Sequence, residues 1–277
     1  MIAIVTDSNA QLPAELVERF SVAVVPLTVT VDGIHYAEGV DLDADGFYAF
    51  FEGGAAPKVS TSQPSPGRFV DAYVRSAERG ATEILSIHIG SALSGTLNSA
   101  RIATGSSPVP VRLVDTGTAS FGVACCVWEA AEMLAGGASI DEAAEVAAAL
   151  GARVGNVFTV RALDLARSGG RLGVEVGDEG SAIPVLSLVD GEIVPVGQAW
   201  DVDEAARVMA DYVTLGGESL KVAIGIADRG AAPFWTALER LLQEADQVRD
   251  LVRYRIGPSV GAHTGPGTAG AFFYSTP

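Results

Sequence analysis

Short runs of β-branched residues alternate with stretches of helical period through the first half of the chain. That rhythm limits the fold more than any other feature. Residues 2–6 read as a strand ending at Asp7-Ser8, followed by a short helix from Pro13. Residues 22–31 are β-branched at near-period two, and residues 45–52 read as a helical turn. Phe69, Tyr73 and Ala77 have helical spacing, so a helix is predicted over 66–79, with Pro66 in its first turn and Ser65 as its cap. Strands over 83–89 and 109–114 alternate with helices over 96–103 and 119–134. A βαβα order of this kind predicts a mostly parallel, wound sheet.

After a helix over 141–150 the rhythm changes. Residues 182–189 and 192–196, joined at Asp190-Gly191, predict a β-hairpin. Helices over 203–212 and 231–245 and strands over 220–227, 252–256 and 271–275 follow. The expected fold is therefore α/β in two domains. The first, residues 1–155, carries the parallel sheet; the second, 156–277, mixes helices with antiparallel pairing. The boundary is approximate and the segments are free to interleave.

Charge removes whole classes of partner. The chain holds 34 acids against 18 bases, a formal charge of −16. Nucleic-acid binding runs on Lys and Arg that displace counterions. Here the densest basic run, 249–255, offers only Arg249, Arg253 and Arg255. An anionic bilayer is disfavoured for the same reason, so membrane contact is expected to be transient at most. Yet 48% of residues are hydrophobic and only 19% charged, which excludes a disordered acidic chain. No apolar run reaches the ~18–20 residues of a spanning helix. The first residues lack a basic segment and meet Asp7 at once, so a cytoplasmic location is expected. Adjacent Cys125 and Cys126 read as small buried residues on a helix. No clustered His or Cys predicts a metal site, and no cofactor is expected.

Four polar clusters interrupt the apolar background. Thr61-Ser62-Gln63-Pro64-Ser65 opens a helix, where unpaired N–H groups favour an anion; ordinary capping is the alternative. Ser91-Ala92-Leu93-Ser94-Gly95-Thr96 follows a strand, the end of an open α/β sheet where ligands bind. Ser94, Thr96 and the N–H groups around Gly95 could converge there on a carboxylate or phosphate, or simply cap a turn. Ser168-Gly169-Gly170-Arg171 sets an Arg fork beside a tight turn or a helix C-cap. Gly261-Ala262-His263-Thr264-Gly265-Pro266-Gly267 places a histidine in a Gly-rich stretch read as non-helical. His88, on a strand, reads as half-buried packing. Gly265 to Gly270 matches GxGxxG, but residues 271–274 read as strand, so it is no dinucleotide fingerprint. A hydrolase built on Ser94 and His263 stays open as a second reading, without a nameable acid.

Taken in order, Thr6-Asp7-Ser8, Val25-Pro26-Leu27, Thr61-Ser62-Gln63-Pro64, Leu93-Ser94-Gly95-Thr96, Gly169-Gly170-Arg171 and His263-Thr264-Gly265-Pro266-Gly267 resemble the DegV family over almost the whole chain. The resemblance implies a two-domain α/β protein, not itself an enzyme, that holds one long-chain fatty acid in a buried tunnel. It implies a carboxylate held between the domains. Its partners are implied to be Thr61 and Ser62, Ser94 with Gly95 and Thr96, and His263. Some members present the acid to a separate fatty acid kinase subunit, and Arg171 is then the candidate contact with partner or phosphate. Three positions depart from the family pattern. Trp200 stands where many members carry Arg, Gly90-Ser91 replaces a serine pair, and Ile183-Pro184 replaces Lys-Pro. Two of these remove bases, which weakens the kinase partnership and leaves lipid binding intact. A ligand-gated adaptor is a further alternative.

Overall fold

The structure, a computed structural model, describes residues 1–53, 56–160, 182–189 and 192–275. The chain forms two compact units. One comprises Met1–Leu42 and Lys58–Arg153, the other Asp43–Pro57 and Val154–Pro277.

In the first unit β1 (Ile2–Asp7) leads through α1 (Ala14–Phe20) to β2 (Ala23–Val25), its parallel neighbour. The β-branched run read as continuous from residue 22 to 31 breaks at Pro26-Leu27. Pro has no N–H for a ladder, and beyond it β3 (Thr28–Val31) joins a different sheet. Asp32 and Gly33, both at positive φ (48° and 86°), turn β3 tightly into β4 (Ile34–Ala37). After β4 the chain crosses into the second unit for α2 (Ala44–Ala49), then returns as β5 (Val59–Ser62), antiparallel to β3. Next come α3 (Pro66–Glu78), β6 (Glu83–His88), α4 (Thr96–Thr104), β7 (Val111–Asp115), α5 (Phe121–Ala135) and α6 (Ile140–Gly151).

The main sheet has the order β2-β1-β6-β7, every pair parallel. β6 is covered on both faces, which explains why its apolar residues run on without strict alternation. Phe69 and Tyr73 of α3 are fully buried against Val5, Val25 and Ile84. Cys125 and Cys126 lie buried in α5, and burial pushes the Cys126 thiol up to about 12.

The second unit is a six-stranded mixed sheet of order β10-β9-β8-β13-β11-β12. Its strands are β8 (Gly155–Thr159), β9 (Ile183–Val189), β10 (Glu192–Ala199), β11 (Leu220–Ile226), β12 (Val248–Arg255) and β13 (Ala269–Ser275). The expected hairpin is present as β9 paired antiparallel with β10; its turn residues lie outside the described ones. β11 and β12 run parallel, and the other pairs are antiparallel. Helices α7 (Val202–Thr214) and α8 (Ala232–Gln243) bury Met209, Val213, Phe234 and Leu238 against this sheet. β13 begins at Ala269, inside the GxGxxG letters, so no helix N-terminus follows there to take a pyrophosphate.

Candidate ligand-binding site

The first unit gathers its hydroxyls at the carboxyl ends of its strands. Thr61 and Ser62 close β5, half-buried and exposed respectively. Ser65 occupies the N-cap position of α3 with extended backbone, but its hydroxyl makes no capping bond, contrary to the sequence expectation.

The second cluster is a βα turn after β6. Gly90 accepts the N–H groups of Leu93 (2.9 Å) and Ser94 (3.1 Å) at its carbonyl, and donates its own to Thr118 O (2.8 Å). A Cβ at Gly90 would lie 2.8 Å from the Gly117 carbonyl carbon, so only glycine lets these backbones meet. Ser94 Oγ and Thr96 Oγ1 are 2.8 Å apart, and Ser94 Oγ also accepts the Thr96 N–H at 3.3 Å. Thr96 is fully buried and Ser94 half-buried. Gly95 is the N-cap of α4 and brings no side chain to the helix mouth. The Gln63 amide takes the space a side chain would fill: a Cβ at Gly95 would lie 3.0 Å from Gln63 Nε2. Gln63 thus brings the Thr61-Ser62 strand end and the Ser94–Gly95–Thr96 turn together. The sequence showed both clusters but nothing that joined them.

Asp115, at the end of β7, steadies the near side of this turn. It accepts the Ser91 N–H (3.1 Å), the Gly117 N–H (3.1 Å) and the Ser91 hydroxyl. Partial burial opposes its ionisation, but these bonds and the Arg101 charge together hold its carboxyl below the usual range. A carboxyl lowered on folding adds stability above its unfolded pKa and loses it as pH falls through the folded one. Asp115→Asn should therefore be less stable than wild type near neutral pH, with the gap closing in acid. Thermal melts across that range measure this, and a gap that widened in acid would refute it.

His263 is carried by the second unit, and Arg171 falls outside the described residues. The expectation of a non-helical setting for His263 is corrected: it lies in α9 (Pro258–Thr264) and is half-buried. Pro258 starts that helix and Gly265, at φ 75°, ends it. Ala262 and Gly261 pack inward, and a Cβ at Gly261 would lie 2.4 Å from Tyr48 Oη of α2. Trp200, just before α7, is 67% exposed, and its main-chain N–H donates to Glu204 Oε2 (2.8 Å).

His88 also differs from expectation. It is fully buried, not half-buried, with Nδ1 2.9 Å from Asp7 Oδ2 and Nε2 2.7 Å from Ser86 Oγ. The order acid–imidazole–hydroxyl has the form of a hydrolytic triad. Ser86 is fully buried and its Oγ also meets Tyr73 OH at 3.0 Å, so no substrate reaches it. The available signal was spacing: residues 86 and 88 share one face of a strand. Among the described residues no group of His, Cys, Asp and Glu could hold a metal, and no helix is long and apolar enough to cross a membrane.

A wound parallel sheet with a hydroxyl-bearing βα turn, continued in one chain by a mixed-sheet α/β unit, defines the class. The family model described as an uncharacterised protein of the DegV family matches residues 1–276, and the chain belongs to that family. A DegV domain-containing protein of Streptomyces coelicolor is 35% identical over 277 residues, covering 97% of this chain and 96% of that one. A DegV family protein from Thermus thermophilus, described by its fatty acid binding, has a TM-score of 0.85 at 32% identity, with 99% of each chain covered. A stearic-acid-binding protein from Eubacterium ventriosum has a TM-score of 0.84 at 26% identity, covering 99% of this chain and 98% of that one.

Proposed function

We propose that this chain binds one long-chain fatty acid in a buried tunnel and acts as its carrier, without chemistry of its own. The carboxylate is received by Thr61, Ser62, Ser94 and the N–H groups of Gly95 and Thr96, with His263 as the second unit's donor. The observation that carries this reading is the Gln63 amide lying against Gly95. It sets two hydroxyl clusters beside the start of α4, where Gly95 brings no side chain of its own. A carboxylate leaving water needs several donors or it takes up a proton. Hydroxyls and main-chain N–H groups at a helix start supply them without a matching base. The fatty-acid binding of the Thermus and Eubacterium relatives supports the same ligand class. Each methylene moved from water into an apolar lining adds about 0.8 kcal/mol, which favours long chains over short ones. Presentation of the acid to a fatty acid kinase subunit, with Arg171 at the contact, belongs to the same proposal.

The protein purified from a bacterial host should carry a long-chain acid. Native mass spectrometry should show the added mass, and organic extraction should release it. A folded protein that arrives empty and also ignores added stearate would end this reading. Labelling of Ser94 by a serine-reactive probe, with turnover of acyl esters, would favour the hydrolase instead.

A further inference from the structure

We infer that Asp7 and His88 are a buried positioning pair that holds the Ser94–Gly95–Thr96 turn in its ligand-receiving shape; the inference rests on the fatty-acid reading above. Four fully buried side chains form one line: Tyr73 OH, Ser86 Oγ, His88 and Asp7, with separations of 3.0, 2.7 and 2.9 Å. His88 Nδ1 donates to the Asp7 carboxyl group, Nε2 shares a proton with Ser86 Oγ, and Ser86 Oγ shares one with the Tyr73 hydroxyl, so every polar atom of the line has a partner. The Phe69 ring meets the imidazole edge-on at 5.0 Å between centroids, which fixes the ring plane.

The two ends of this line do different things. The Tyr73–Ser86 end stays inside, between α3 and β6. The Asp7–His88 end reaches the backbone of three loops. Asp7 Oδ2 accepts the Ile89 N–H (3.2 Å) and Oδ1 the Asn9 N–H (3.1 Å). Asn9 Oδ1 in turn accepts the Ser120 N–H at 2.8 Å. The His88 carbonyl accepts Thr116 Oγ1 (2.8 Å) and Thr116 N–H (3.2 Å). The loops after β1 and β6 are therefore tied at the Asp7 carboxylate, which the His88 imidazole holds in place, while the loop after β7 is tied to the His88 main-chain carbonyl and, through Asn9, to the loop after β1. Only Ile89 separates that pair from Gly90, whose carbonyl receives the Leu93 and Ser94 N–H groups. A pair serving the core alone could give way to apolar residues at little cost. The Asp7 carboxylate instead faces main-chain N–H groups at the start of the turn and is itself oriented by the His88 imidazole, in the way outer groups orient the groups that touch a ligand.

Comparing the two ends tests this, in the full chain. Ser86→Ala and Tyr73→Phe cut the inner end; Asp7→Asn and His88→Leu cut the outer end. Melting temperature, stearate affinity and ligand-free amide exchange over residues 90–96 are read for each. All four variants should melt earlier. Only the outer pair should speed exchange over 90–96 and weaken stearate about tenfold, a loss of about 1.4 kcal/mol. His88→Asn, which keeps an N–H for Asp7, should recover part of both and serves where His88→Leu does not fold. Exchange and affinity that follow melting temperature alike in all four variants would overturn the inference, as would an unchanged turn in the outer pair. A wild type that binds no stearate defeats the ligand reading alone, because the exchange measurement still decides whether the pair positions the turn.

Discussion

Replacing Thr61 by Val and Ser94 by Ala together is expected to weaken fatty-acid binding by about a hundredfold or more, with the fold intact. The size follows from what each hydroxyl does for a carboxylate that has left water. A hydrogen bond to a charged group contributes about 1.5–3 kcal/mol, and each 1.4 kcal/mol is tenfold in affinity. Val keeps the β-branched shape that suits Thr61 in β5, so the strand and its pairing with β3 should survive. Ser94→Ala removes more than one partner, because Ser94 Oγ also holds Thr96 through its hydroxyl and its N–H. Ser94 should therefore prove the more costly of the two alone. Isothermal titration with stearate, beside its methyl ester, separates charge from apolar contact. The variants should lose affinity for the acid and little for the ester. Equal losses for both ligands, or none for either, would place the carboxylate elsewhere.

Much of the first unit was legible because its two central parallel strands, β1 and β6, are buried on both faces and so appear as mostly apolar runs. β1, β6 and β7 fall where residues 2–6, 83–89 and 109–114 were read. What failed was local and has identifiable causes. Residues 22–31 keep period two across Pro26, and only the missing proline N–H betrays that the run serves two sheets. The sequence left segments free to interleave without saying which, because Phe47 and Tyr48 look like any short amphipathic turn; the membership of Asp43–Pro57 in the second unit is a tertiary fact. The stretch around His263 was misread because glycine argues against helix. Pro258 at the first turn and close packing at Gly261 outweigh that preference. Site residues showed the same division. Hydroxyl clusters were visible as letters, whereas Gln63 over Gly95 and Asp7 beside His88 depend on contacts between distant residues.

Gly261→Ala should destabilise the second unit by about 1–3 kcal/mol, the usual penalty for overpacking a close contact. The added Cβ would lie 2.4 Å from Tyr48 Oη, 2.8 Å from Phe47 Cε1 and 3.0 Å from Tyr48 Cζ. Neither ring has room to swing aside. Phe47 is fully buried, and the two rings meet at 75° with centroids 5.1 Å apart. Tyr48 is pinned at its far end, where its hydroxyl donates to Ile256 O at 3.0 Å. The strain must then move α9 as a body, and His263 with it. Gly67→Ala is a fitting comparison, since its Cβ would meet nothing nearer than Ser65 Oγ at 3.8 Å and α3 should gain slightly from alanine. A double-mutant cycle with Tyr48→Phe isolates the cause. That change removes the atom nearest the new methyl but also a hydrogen bond, so alone it should cost about 1 kcal/mol. Combined with Gly261→Ala it should cost clearly less than the sum of the two. Strict additivity would show that the Tyr48 hydroxyl is not what demands glycine at 261, and would leave the Phe47 ring as the atom group that does.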